Sequence, residues 1–498
     1  MSTAKKILGN TAVQVAGRAM MAAASVVILK IITSFLSVEE YGMYASIYEF
    51  LAFFGIAADL GLFTIAVREM GKGKRDRSFI VSNILGMRML LAFTTMSAAV
   101  ISAALIGKFT GTYIPTGVMI ASIAVFFVIM HGTVSSVLQV ELKMQYATMG
   151  LVGGKFISLS WMLATIYFFY AGDPGSDAFY QLIWAGVFGN IFAFLFSLFF
   201  ARKYAKIWPQ FNWGYWKEIS VTALPYGTAL ILNIVYFRID SLMLLFMKGP
   251  SEVAIYSPAV RMMEILSVVP IYFMNSVLPV LSRHVEEGSK RVSRMIRLSF
   301  DFLFMLGMPM AVGVYLIAYP LIFLITQPEF LSRLDEGFYG SDIALQILVF
   351  AMFFAYLNSL FTYSLVAVNK QSHLLWINGT AAVFNIAANF YVIPEWGFRG
   401  AAVTSIITEI YILLMAWLIA RKWIDYKLDW LAFCKTVVAT AAMGLTVWKL
   451  TEPTYNFMNL QNFNVFLLAG IGAAVYGAVL LLLKAVPEEF MRKIHLGR

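Results

Sequence analysis

The stretch ILNIVYFRIDSLMLLF, residues 231–246, reads as the middle of a membrane-spanning helix interrupted by two full charges, Arg238 and Asp240. The apolar run containing it extends over 219–247, longer than the roughly 20 residues a span requires. Working outward, 60% of the 498 residues are hydrophobic and only 13% are charged, and the apolar residues come in long runs rather than in alternation. This is the pattern of an all-α integral membrane protein. Runs of spanning length occur at 10–37, 41–68, 79–106, 115–138, 149–171, 178–200, 219–247, 253–281, 297–325, 342–368, 373–393, 400–420, 430–449 and 463–484, which predicts about 14 transmembrane helices. Lys5 and Lys6 ahead of an apolar stretch resemble a signal peptide, but Arg18 interrupts that stretch and the run continues to Leu36, so it is read as the first span.

Basic residues set the orientation. With a cytoplasmic N-terminus, cytoplasmic segments hold 25 Lys and Arg and the opposite side holds five: Lys108, Lys248, Arg333, Arg399 and Lys449. The positive-inside rule therefore predicts both termini in the cytoplasm and an even number of spans. The net charge of +10 is then a topology signal and not a nucleic-acid footprint. A single cysteine, Cys434, excludes an intramolecular disulfide and is expected to pack within its span.

Two stretches recur at nearly constant offset. SVEEYGMY (37–44) resembles SEVAIYSP (251–258), with Tyr44 and Tyr256 212 residues apart. ARKYAKIWPQFNW (201–213) resembles ARKWIDYKLDW (420–430), with Ala201 and Ala420 219 apart. This spacing sets spans one to six against seven to twelve in the same sense, as in parallel repeats related by a pseudo-two-fold along the membrane normal. The expected organisation is an N-lobe at 1–210, a C-lobe at 211–425, and two further helices with a cytoplasmic tail at 426–498, with a central cavity between the lobes.

The run LSVEEYGMYASIYEFLAFFGIAADLGLFTIAVREMGKGKRD (36–76), with its Tyr-Gly after an acidic pair, Asp59-Leu60-Gly61 and Arg68-Glu69, resembles the polysaccharide transporter family of oligosaccharide flippases. NFYVIPEWGFRGAAVTS (389–405) carries the same resemblance, which covers essentially the whole chain. The superfamily also contains multidrug and toxin extrusion transporters and the peptidoglycan-precursor flippase. The resemblance implies export of a polyprenyl-pyrophosphate-linked oligosaccharide across the plasma (inner) membrane by alternating access, for cell-surface polysaccharide biosynthesis alongside polysaccharide-assembly enzymes. The peptidoglycan branch fits less well, because VPIYFMNSVLPVLSR (269–283) stands where that branch has a glycine-rich segment.

A charge at mid-bilayer costs roughly 2.5–3.5 kcal/mol, so each one inside a span needs a partner, water or a task. Arg18, Arg88, Arg238 and Arg261 lie deep in their spans and, with Lys30, are candidates for a cationic ladder that holds the pyrophosphate. A guanidinium suits that ligand because its planar fork engages two phosphate oxygens. Gln14, one turn from Arg18, joins the candidate cargo-binding set. The alternative is internal pairing: Arg261 with Glu264, and the others with Glu49 or Asp59, the candidate cavity acids. Tyr44, Tyr48, Tyr226, Tyr236 and Tyr256 are candidates for stacking on sugars, with helix packing the stronger reading. Pro225, Pro258, Pro270 and Pro279 predict bends in spans seven and eight.

Arg238 and Asp240 project about 200° apart on a helix, so they serve different surroundings. In the related peptidoglycan-precursor flippases a sodium site lies in similar spans, and that resemblance makes Asp240, Asn385, Asn389 and Thr404 the candidate coupling site for Na+ or H+. No other cofactor is expected. The four histidines are scattered, and neither a Cys/His metal spacing nor a Walker loop is present. A polysaccharide polymerase or ligase would need a larger external loop than 326–341 provides. A cation-coupled multidrug exporter of the same fold would favour acidic residues over arginines.

Overall fold

The computed structural model describes residues 3–170, 175–289, 291–426, 429–457 and 464–485, and the regular elements among them are helical. In chain order they are α1 (Thr3–Phe35), α2 (Val38–Asp59), α3 (Leu62–Gly71), α4 (Arg77–Leu105), α5 (Ile114–Val140), α6 (Met144–Ala164) and α7 (Ser176–Ala201). Then follow α8 (Trp213–Met247), α9 (Pro250–Leu266), α10 (Val268–Glu286), α11 (Arg291–Leu316) and α12 (Ala318–Ile325). The last five are α13 (Ser341–Ala367), α14 (Ser372–Trp396), α15 (Phe398–Ala420), α16 (Trp430–Phe457) and α17 (Asn464–Leu482). Twelve helical segments among the described residues are long and apolar enough to cross a bilayer, counting α2 with α3 and α9 with α10 as one each. α8 and α14, 35 and 25 residues long, bring the spanning helices to the expected fourteen.

The conspicuous SVEEYG stretch proves to be a helix start. Ser37 and Glu40 form a capping box: the Ser37 hydroxyl accepts from the Glu40 amide, and the Glu40 carboxylate accepts from the Ser37 amide at 2.9 Å. Gly42 has room for no side chain, because a Cβ there would lie 2.1 Å from the Pro250 carbonyl oxygen. The second span breaks after Asp59, where Leu60 and Gly61 adopt φ of 44° and 69°. Gly61 takes that conformation without strain, whereas Leu60 must be held in it.

Proline explains two sites in the C-terminal half. Pro270 has no N–H to offer the Leu266 carbonyl, and the interruption between α9 and α10 falls there; the hydroxyl of fully buried Tyr356 donates to that carbonyl at 2.6 Å. Pro309 likewise leaves the Met305 carbonyl without its helical donor, and Tyr476 of α17 supplies one at 2.6 Å. In hydrocarbon, where no water can serve, such substitutes are required.

The chain divides into two compact units, Met1–Ala254 and Ile255–Arg498. In the first, α5 packs on α4 and α7, α7 on α6, and α2 on α4 and α5. In the second the pairings recur: α13 packs on α11 and α15, α15 on α14, and α10 on α11 and α13. The two sets match under the repeat read from the sequence. α8, expected at the head of the C-lobe, packs on α2 and α4 and belongs by its contacts to the first unit. α16 and α17 pack on each other and on α11.

Candidate functional site

The internal pairings expected from sequence are present. Arg88 of α4 is 2% exposed, and its guanidinium ion-pairs with Asp59 at the end of α2 and donates to the Thr133 hydroxyl of α5 at 2.9 Å. This triad fastens α4 and α5 to the carboxylate preceding the Leu60–Gly61 break. Arg238 of α8 donates through Nη1 to both Glu49 carboxylate oxygens, at 2.8 and 2.9 Å, with its side chain one-quarter exposed and that of Glu49 nearly buried. Arg261 pairs with Glu264 one turn along α9 at 2.9 Å, both side chains well exposed. Arg18 is exposed and Lys30 and Gln14 are half-buried, all on α1.

The candidate cations therefore fall into two groups. Arg88 is enclosed and committed, so in this structure it is not on a surface a ligand can reach. Arg18 and Arg261 are exposed, and Arg238 is partly so while held by Glu49. A surface ion pair such as Arg261–Glu264 is worth about 0–1 kcal/mol, so a stronger ligand can displace it. Arg18, Lys30 and Arg238 lie in the first unit and Arg261 in the second.

The second unit gathers its polar residues differently. Asn385 and Asn389 on α14 are 1% and 0% exposed, with Asn389 Nδ2 donating to Asn385 Oδ1 at 3.0 Å. Asn385 Nδ2 approaches the Thr408 hydroxyl at 3.5 Å, and that hydroxyl donates to the Thr404 carbonyl at 2.8 Å. The structure thus brings Asn385, Asn389 and Thr404 together at the buried α14–α15 contact. Asp240, their expected companion, lies on α8 in the first unit and is 8% exposed. Beside this cluster, Asn358 of α13 donates to the Glu409 carboxylate at 3.2 Å while accepting from Thr362 at 3.2 Å. No group of three or more metal-ligating side chains occurs among the described residues.

Sequence reasoning passed over Thr133, Thr408 and Asn358. The spacings Thr404/Thr408 and Asn358/Thr362, both i,i+4, were available signals for polar stripes on α15 and α13; nothing local marked Thr133. Cys434, expected to pack inside its span, is exposed on α16. Tyr256 is buried, in keeping with packing, and Tyr44 and Tyr48 pack on each other with ring centroids 5.0 Å apart and planes tilted by 56°. The side chains of Pro225, Tyr226 and Tyr236 lie outside the described residues.

A family model described as polysaccharide biosynthesis protein matches residues 7–285, and a second, MatE, matches 225–391. No curated protein sequence matches the chain. Among solved structures it is similar to lipid II flippase MurJ in an inward closed conformation, with 14% identity over 98% of this chain and 99% of that one and a TM-score of 0.73. It is similar to a multidrug resistance MATE family transporter of the MOP superfamily in an inward-facing conformation, with 14% identity over 80% and 94% of the two chains and a TM-score of 0.63. A mutant of the Vibrio cholerae MATE transporter VcmN shares 16% identity over 84% and 96%, with a TM-score of 0.54. At these identities the likeness shows a common multi-pass membrane fold.

Proposed function

The chain belongs to the family of polysaccharide biosynthesis proteins, and on that premise we propose that it is a flippase. Its cargo is a polyprenyl-pyrophosphate-linked oligosaccharide, moved from the cytoplasmic to the outer leaflet of the plasma membrane by ion-coupled alternating access for assembly of a cell-surface polysaccharide. One observation carries the reading. The likeness to the lipid II flippase runs over 98% of the chain, α16 and α17 included, whereas the likenesses to the two MATE transporters cover 80% and 84%.

The residues support an anionic cargo. Exposed Arg18 and Arg261 offer planar forks to phosphate oxygens. Arg238 takes a subsidiary part: the pyrophosphate competes with Glu49 for its guanidinium, and Glu49 recaptures Arg238 when cargo leaves. Arg88, with Asp59, holds the break in the second span and does not meet cargo. For coupling, the amide and hydroxyl oxygens of Asn385, Asn389 and Thr404 in the second unit are the candidate donors for Na+, and the Asp240 carboxylate in the first unit is, separately, the candidate carrier of H+. Inward movement of one such charge gains about 2.3 kcal/mol per 100 mV of membrane potential. Chemistry on sugars is not part of this reading, since the external segment after α12 is short and closed on itself, with Ser332 donating to Asp342 through its amide and hydroxyl at 2.9 and 2.8 Å.

The test is translocation in proteoliposomes of a defined polyprenyl-pyrophosphate oligosaccharide, measured beside uptake of an organic cation. Flipping of the anionic lipid that falls sharply in Arg18→Ala and Arg261→Ala supports the proposal. Movement of the cation alone would overturn it in favour of a multidrug exporter, the reading to which the match over 225–391 lends its weight.

A further inference from the structure

Away from the intramembrane charges, the first unit carries an apolar slot with a basic mouth. The cavity, about 180 Å³, is walled by Met89 of α4, Phe126 and Phe127 of α5, and Phe194 and Leu198 of α7. Arg202, Trp208 and Pro209 close one end, and Arg202 is the one charged residue among those lining it. From Arg202 back to Phe194 the slot follows eight residues of chain, about 12 Å along a helix axis.

The mouth is built and not merely left over. The segment after α7 is laid along α4: the Ser82 hydroxyl donates to the Lys206 carbonyl at 3.1 Å and accepts from the Trp208 amide at 3.3 Å. The Gln210 amide donates to the Ser82 carbonyl at 3.0 Å, and Asn83 donates to the Gln210 side chain at 3.1 Å. Gly86 admits the Gln210 carbonyl, since a Cβ there would lie 2.2 Å from its oxygen. Arg202, Lys203, Lys206 and Trp208 remain exposed along this segment.

The acids at this end of the unit are committed elsewhere. Glu69 is held by Arg68 and Lys72, Glu141 by Arg77 and Glu218 by Arg75, while Asp76 caps α4 by accepting from the Phe79 amide. Arg202, Lys203 and Lys206 have no acidic partner among the described residues. Lys203 instead sits over the Phe199 and Phe200 rings, at 5.3 and 4.9 Å from their centroids.

We infer that this slot holds one acyl chain of an anionic phospholipid of the cytoplasmic leaflet, with its phosphate on Arg202 and with Lys203 and Lys206 beside it. Hydrocarbon walls match the chain, and a guanidinium fork matches a phosphate. The basic-residue count assigns this segment to the cytoplasmic side, whose leaflet carries anionic lipid, and exposed Trp208 just past the end of α7 suits a headgroup region. A slot of about 180 Å³ among the rings of Phe126, Phe127, Phe194 and Trp208 suits an unbranched chain better than the bulkier methyl-branched tail of a polyprenyl carrier. The site is independent of the cargo reading.

Native mass spectrometry of the full chain tests it, titrating phosphatidylglycerol, phosphatidylethanolamine and a polyprenyl phosphate in turn. The expected result is one phosphatidylglycerol retained in preference to the other two. Arg202→Glu, and Met89→Trp to fill the slot, should each weaken that retention about tenfold, while size-exclusion profile and thermal midpoint stay unchanged. Equal retention of the zwitterionic lipid, displacement by the polyprenyl phosphate, or wild-type affinity in both variants would each overturn the inference. Because nothing is transported in this experiment, its failure is distinguishable from failure of the flippase reading.

Discussion

In the first unit, among the described residues, two deep arginines meet carboxylates, enclosed Arg88 on Asp59 and partly exposed Arg238 on Glu49. In the second, the buried polar cluster at the α14–α15 contact is neutral, made of Asn385, Asn389, Thr404 and Thr408, and half-buried Asn358 and Thr362 stand by the Glu409 carboxylate. The helix irregularities differ in the same sense. A left-handed Leu60–Gly61 break anchored through Asp59 serves the first unit, and prolines answered by tyrosine hydroxyls serve the second. An ion pair in hydrocarbon has one good geometry, and loss of either partner is severe. Amides and hydroxyls bind one another for about 0.6–2 kcal/mol in membranes and can turn their oxygens toward a new ligand. The Arg88–Asp59 pair is therefore built to stay fixed, whereas the amides and hydroxyls at the α14–α15 contact can exchange partners.

The comparison breaks most visibly at Arg88. Arg88→Met should cost about 3–5 kcal/mol by stranding Asp59, seen as a collapsed thermal midpoint in detergent, and adding Asp59→Leu should recover most of it. A stable single variant would mean that the pair is not structural. Next comes Tyr356→Phe, which exposes the Leu266 carbonyl at a cost of about 1–3 kcal/mol. In a Pro270→Ala background the backbone N–H returns, so the same substitution should cost less than half as much; an unchanged penalty would show that the tyrosine acts through packing. Asp240→Asn should alter stability little yet remove the dependence of flipping on pH, and Asn389→Ala should remove its dependence on sodium. Transport that keeps its ion dependence in both variants would empty the coupling proposal. The smallest change in stability is expected for Arg261→Ala, within about 0.2–1 kcal/mol for an exposed pair, although its flipping should fall at least tenfold; full flipping would remove Arg261 from the cargo set.

The spans were legible, though with ends displaced by several residues and without the break at Leu60–Gly61, because a bilayer imposes a length and a polarity on each helix that no tertiary context can override. The repeat was legible at Tyr44 and Tyr256, and the helix pairings of the two units follow it. The ion pairs were legible as alternatives, since a deep charge needs an opposite one and Glu49, Asp59 and Glu264 were the acids at hand. What the sequence could not rank was pairing against cargo: Arg88 and Arg18 look equally deep in their spans, and only packing encloses the first and leaves the second exposed. Tyr356 and Tyr476 were equally illegible, because each serves a proline far away in the chain, and no local spacing reports such a distance.

Tyr476 has a consequence for how such a chain can be shortened. α16 and α17 follow the repeated portion of the sequence and look dispensable, yet α17 supplies the hydroxyl that completes the backbone of α11 at Met305, below Pro309. A twelve-helix truncation would leave that carbonyl bare in oil. Restoring a donor with Pro309→Ala is then the change that should let the shorter chain fold, so gain or loss of the terminal pair during descent would have to travel with the residue at position 309.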